Sequence, residues 1–126
     1  MSTVTSMTAQ SPAGSTLAGS VTAETVLAWL AADEAVLIDV REPDEYADEY
    51  IPGSVLLPLS TLEATALPAV PGKRRILQCL TGKRSAIALA RLAENGIDDL
   101  LHLDGGLLAW KIAGGKTIEA DEPVAA

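Results

Sequence analysis

With 126 residues, 48% of them hydrophobic and 21% charged, the chain has enough apolar material for one domain with one core and too little for two. Aromatics make up 3% and Phe is absent, so the core is expected to be built from Leu, Val, Ile and Ala. A formal net charge of −8 argues against a nucleic-acid binder, which needs a basic footprint, and against adsorption to anionic membranes.

Residues 1–19 are rich in Ser, Thr, Ala and Gly without periodicity, and read as a flexible tail. They hold no basic residue and no apolar run, so no signal peptide is expected. No stretch approaches the ~18 apolar residues of a membrane span, and the expected location is the cytoplasm. Thr22 is placed to cap a helix running to about Ala32, with Val26, Leu27, Trp29 and Leu30 as its apolar face. Ala35 to Val40 fits a buried parallel strand. A Pro43-led acidic helical turn and a short strand near Ser54–Leu57 follow. Ser60 is then expected to cap a short helix ending before Pro68, and Pro71-Gly72 marks a turn. Arg74 to Cys79 reads as a strand and Ser85 to Asn95 as a helix. Gly96 stands where a left-handed residue closes such a helix, with Ile97 and Leu92 placed for the accompanying apolar contact. Asp99 to Leu103 is the last strand expected, and Gly105-Gly106 leads into a helix ending near Trp110. The alternation predicts a parallel sheet with helices on both faces.

In such a sheet, ligands sit at the carboxyl ends of strands, beside the following helix N-termini. The join at 79–85 reads Cys79-Leu80-Thr81-Gly82-Lys83-Arg84-Ser85. Loop N–H groups and a helix start can point at one small anionic group beside the sulfur, and Lys83 and Arg84 would favour the thiolate. The plainer reading makes Cys79 a small buried hydrophobe and the two cations solvated residues. Cations at a helix start oppose its dipole, however, which hints at an anion that offsets them. Cys79 is the only cysteine, so an internal disulfide is excluded, and with one His so is a cysteine/histidine zinc site. His102 alone reads as packing or surface, Trp29 as core, and Trp110 as packing or a pocket wall. Six of the nine basic residues fall between 73 and 91, a local field that could steer anions. For Lys73, Arg74 and Arg75, solvation of a strand start is the simpler account.

The loop, taken with Ile38-Asp39-Val40-Arg41-Glu42, Glu45-Tyr46, Ile51-Pro52-Gly53-Ser54 and Asp104-Gly105-Gly106 before Trp110, closely resembles the rhodanese family. The motifs stand in the family's order and cover about residues 20–113, leaving 114–126 as a C-terminal tail. The resemblance implies an α/β domain with about five parallel strands and helices on both faces. It also implies a thiosulfate sulfurtransferase in which Cys79 carries the persulfide and Leu80, Thr81, Gly82, Lys83 and Arg84 surround its sulfur. Asp39 and Arg41 match family positions as structural residues near the site. Related cysteine phosphatases and arsenate reductases have five residues between Cys and Arg, and usually a His before the Cys. Here four residues intervene and Gln78 precedes, which fits a single sulfur atom as guest. One departure is Glu49-Tyr50 where the family commonly has Gly-His.

The implied chemistry is covalent catalysis. A small anionic sulfur donor such as thiosulfate loads Cys79, and cyanide, a thiol or an acceptor protein unloads it. Neither metal nor organic cofactor is required. The alternatives are a persulfide carrier serving a partner protein with little thiosulfate turnover, and a phosphatase or arsenate reductase.

Overall fold

In a computed structural model that describes residues 19–120, thirteen short elements alternate along the chain. Five parallel strands form the main sheet: β1 (Ser20–Val21), β2 (Ala35–Asp39), β4 (Val55–Leu56), β5 (Arg74–Gln78) and β6 (Leu101–Leu103), in the order β1-β6-β5-β2-β4. The helices are α1 (Ala23–Ala31), α2 (Pro43–Asp48), α3 (Lys83–Glu94) and α4 (Gly106–Ile112). A second, antiparallel pair joins β3 (Glu49–Tyr50) to β7 (Ile118–Glu119).

Alternation along the central strands divides the core between the two faces of the sheet. Leu37, Ile76 and Leu103 face one side, where Val26 and Trp29 of α1 and Leu107 and Trp110 of α4 cover them. Ile38, Leu77 and Cys79 face the other, under Ala88 and Leu92 of α3. Trp110 is therefore a core residue, and its Nε1 donates to the Lys116 carbonyl at 2.9 Å.

The ends of the helices follow local chemistry. The Thr22 hydroxyl accepts the Thr25 N–H at 3.3 Å and caps α1. Helix α3 closes with Gly96 at φ 87°. The Ile97 N–H bonds the Leu92 carbonyl and the Gly96 N–H that of Ala93, both at 3.0 Å, a Schellman closure.

Several stretches differ from expectation. Residues 59–66 form two 3₁₀ turns, Leu59–Thr61 and Ala64–Ala66, in place of one helix capped by Ser60. The Ser60 hydroxyl donates instead to Glu42 at 2.7 Å, and the chain extends at Leu62 and Glu63 so that Leu59, Leu62, Ala64 and Leu67 all reach the core. Strand β1 was not foreseen. It lies at the sheet edge, held to β6 as Ser20 pairs with His102 and Val21 with Leu103. Strand β6 starts at Leu101 rather than Asp99. Asp99 serves as partner to Arg75 at 3.0 Å.

Residues 114–120, assigned from sequence to a C-terminal tail, lie on the domain. The Gly115 N–H bonds the Trp110 carbonyl at 2.8 Å, where a Cβ would collide with the Trp110 ring, β7 pairs with β3, and the Thr117 hydroxyl donates to Glu49 at 2.6 Å. The flexible segment expected over 1–19 falls outside the described residues apart from Gly19, whose carbonyl accepts the His102 N–H at 2.8 Å. Among the described residues no helix is long and apolar enough to cross a membrane.

Candidate active site

Cys79 follows directly on β5, and residues 80–82 turn the chain back so that α3 starts above the sulfur. Gly82 stands in the left-handed region at φ 105°, where a side chain would be strained and a Cβ would approach the Gly105 nitrogen to 3.2 Å. This bend aims the Gly82 N–H at Sγ from 3.1 Å and the Ser85 N–H from 3.3 Å. The Ser85 hydroxyl is 3.7 Å from Sγ, and donates to the Gly82 carbonyl at 3.2 Å. Both Cys79 and Ser85 are buried, at 1% and 0% exposure.

The underside of the loop is held by α4. The Leu107 N–H bonds the Cys79 carbonyl at 2.8 Å and the Leu108 N–H bonds that of Leu80 at 3.2 Å. This approach needs Gly106, because a Cβ there would collide with the Cys79 and Leu80 carbonyls. The Gly105-Gly106 pair thus lets one helix start grip the backbone of another site.

Burial pushes the Cys79 thiol up, but the Ser85 amide and hydroxyl and the Gly82 and Thr81 amides outweigh it. The net direction is below the ordinary thiol value.

The remaining loop residues divide. Thr81 and Lys83 are exposed, while Leu80 packs on the core beneath α4. The Arg84 guanidinium forms a two-pronged pair with Glu45, Nη1–Oε1 at 2.6 Å and Nη2–Oε2 at 3.0 Å. Glu45 also accepts the Glu42 N–H at 3.0 Å, so it ties the start of α2 to the start of α3. The Arg84 bonds hold the Glu45 carboxyl at about 2, against partial burial. With a lowered folded value, whatever stability the pair gives is full above about 4.5 and fades as pH falls towards 2. Glu45 raises the Arg84 pKa in return, and the neighbouring Cys79 adds to this.

Asp39 and Arg41 sit beside the loop and face each other. Asp39 is fully buried and accepts from Arg41 Nε at 3.0 and 3.1 Å, from Nη2 at 2.8 Å and from the backbone N–H at 2.9 Å. The guanidinium also donates to the Glu49 carbonyl at 2.6 Å. The Glu49-Tyr50 departure has a local role in the same region. Glu49 pairs with Lys111 at 2.8 Å as well as Thr117, and Tyr50 stacks on Tyr46 with ring centroids 4.8 Å apart. The Tyr46 hydroxyl donates to the Ser54 carbonyl at 2.7 Å, which explains the Glu45-Tyr46 and Ile51–Ser54 motifs as two halves of one clamp.

Lys73, Arg74 and Arg75 face Asp33, Glu34 and Asp99, and Arg74 also lies over Trp29 at 4.2 Å. Their charges are largely compensated away from the sulfur. Two site residues escaped the sequence reading. Ser85 was taken only as a helix start, and His102, 17 positions on, puts Nδ1 2.9 Å from the Ser85 hydroxyl. Only the parallel pairing of β5 with β6 beneath α3 brings these two together.

A rhodanese-like domain model matches residues 22–113. An uncharacterized protein of Synechocystis is 45% identical over 87 residues, 69% of this chain and 49% of that protein. The thiosulfate sulfurtransferase GlpE of Pseudoalteromonas translucida is 30% identical over 87 residues, 69% of this chain and 83% of that one. The crystal structure of a thiosulfate sulfurtransferase from Pseudomonas aeruginosa superposes with a TM-score of 0.71 and 34% identity, covering 81% of this chain and 20% of that chain. The matched region thus spans about half the length of the Synechocystis relative.

Proposed function

We propose that this chain, which belongs to the rhodanese-like domain family, moves sulfane sulfur from thiosulfate or a similar anionic donor to a thiol or cyanide, holding it in between on Cys79. The observation that carries this reading is the convergence of the Gly82 and Ser85 amides on one buried sulfur. Such donors favour a thiolate before transfer and a persulfide anion after it.

In the loading step the Cys79 thiolate attacks the outer sulfur of thiosulfate. A new S–S bond forms as the old one breaks, and sulfite leaves with the electron pair. In the unloading step cyanide attacks the terminal sulfur of the persulfide, giving thiocyanate and restoring the thiolate. A cellular thiolate can do the same to the protonated persulfide. Neither expulsion needs a general acid for its leaving group, in contrast to an alkoxide leaving a phosphate ester.

In this mechanism Arg84 and Lys83 supply positive charge beside the sulfur, and Glu45 keeps the Arg84 fork at its post. The name and resemblance of the GlpE and P. aeruginosa proteins support thiosulfate as donor. A second reading is a carrier fed or emptied by a partner protein through the same Cys79 persulfide. In that case loading still occurs and thiosulfate turnover is slow.

The test is steady-state turnover of thiosulfate with cyanide. Arg84→Ala should lower it about tenfold or more, the loss of one charge-assisted contact, with a smaller effect on thermal stability. Unchanged kinetics with a collapsed melting temperature would make Arg84 a structural residue.

A further inference from the structure

His102 is the chain's single histidine, and the proposed sulfur transfer makes no use of it. Yet its Nδ1 lies 2.9 Å from Ser85 Oγ, the shortest of that hydroxyl's contacts. Ser85 is fully buried; its hydroxyl donates to the Gly82 carbonyl, its oxygen receives the Cys79 S–H at 3.7 Å, and His102 Nδ1, in the tautomer that leaves it bare, is a second acceptor for its one proton. The side chains of Ser85 on α3, His102 on β6 and Cys79 after β5 therefore form a continuous line, Sγ to Oγ to Nδ1.

We propose that His102 is a positioning and proton-holding residue for Cys79, acting through Ser85 to set the pH at which the resting thiol becomes a thiolate. The transfer balances with one proton. The Cys79 S–H bond breaks as its proton passes to Ser85 Oγ, and the Ser85 hydroxyl proton passes to the free Nδ1 of neutral His102. The result is a thiolate and an imidazolium, with the serine hydroxyl restored. The imidazolium Nδ1–H then donates to Ser85 Oγ, which frees the Ser85 hydroxyl to donate to the thiolate.

Burial works against the charged form of His102, and Asp104 works in its favour. Asp104 favours the charged ring, and Lys83 and Arg84 at the start of α3 favour the thiolate. Across the sheet, His102 pairs with Leu77 on β5 and Ser20 on β1, neither of them charged. Thiol and imidazole then titrate as a pair, and the observed midpoint belongs to both.

The idea rests on Cys79 being the working nucleophile, but its test needs no sulfur donor. The ultraviolet thiolate absorbance of the full chain is titrated against pH, with Cys79→Ser as blank, since only one cysteine is present. His102→Leu should raise the thiolate midpoint by about one unit, leaving about tenfold less thiolate at a fixed pH below it. His102→Asn preserves a hydrogen-bond acceptor but cannot hold a proton, and should raise the midpoint too, which keeps the test valid if the Leu variant fails to fold. Ser85→Ala should raise it at least as far. The double variant, Ser85→Ala with His102→Asn, should match Ser85→Ala alone, because His102 acts only through the hydroxyl. An unchanged midpoint in a folded His102→Asn variant would overturn the proposal, as would shifts that simply add in the double variant. A shifted midpoint in a chain that takes up no sulfur would leave the relay standing and remove the sulfurtransferase reading.

Discussion

Replacing Cys79 by Ser should abolish thiosulfate:cyanide activity while leaving the domain folded. The reason is chemical: a serine alkoxide cannot form the persulfide. The fold has little stake in the change, because Ser accepts the same Gly82 and Ser85 amides in a site already built for a small acceptor. Stability should therefore shift by no more than about 1 kcal/mol, the scale of one hydrogen bond. The expected readouts are no thiocyanate above the uncatalysed rate and an unfolding midpoint near the parent's. Since the chain has no second cysteine, residual turnover would mean that the sulfur does not pass through Cys79 at all.

The largest effect on stability is expected at Asp39. Its carboxylate is fully buried, and it is the main charge partner of Arg41, whose side chain is 4% exposed. Asp39→Ala would strand that guanidinium in the interior with the Glu49 carbonyl as its remaining acceptor. Breaking a buried pair on one side costs about 3–5 kcal/mol, a large part of the ~5–15 kcal/mol that holds a small domain together. Removing both charges, as in Asp39→Ala with Arg41→Met, should cost much less, since no uncompensated charge remains. Denaturant unfolding of the single and double variants checks this. A loss below about 1 kcal/mol for Asp39→Ala alone would show that water reaches Arg41 and that the pair does not organise the loop.

The order of strands and helices was legible because its signals are local. The apolar run 35–40, the Thr22 cap and the Gly96 closure each act within a few residues, and all appear in the structure. So was the join at Cys79, because a cysteine at a strand end with glycine and two cations after it is a local pattern. What stayed hidden depends on distance along the chain. Strands β1, β3 and β7 are two residues each and, unlike the equally short β4 in its run Val55-Leu56-Leu57, carry no apolar run to mark them. Their partners are chosen by the tertiary fold. Glu45 meets Arg84 across 39 positions and Ser85 meets His102 across 17, and neither pairing leaves a mark in sequence spacing. Residues 59–66 misled for another reason. Ser60 has the chemistry of a cap, but Glu42 competes for its hydroxyl.

The central claim is that Cys79 takes up and holds one sulfur atom. Intact-protein mass spectrometry after brief thiosulfate treatment tests it most directly, with peptide mapping to place any adduct and cyanide added to a second aliquot. The account predicts a gain of one sulfur atom on Cys79, lost again on cyanide treatment, in the parent and not in Cys79→Ser. An unchanged mass in a folded protein with a titratable Cys79, or a sulfur found elsewhere in the chain, would contradict it.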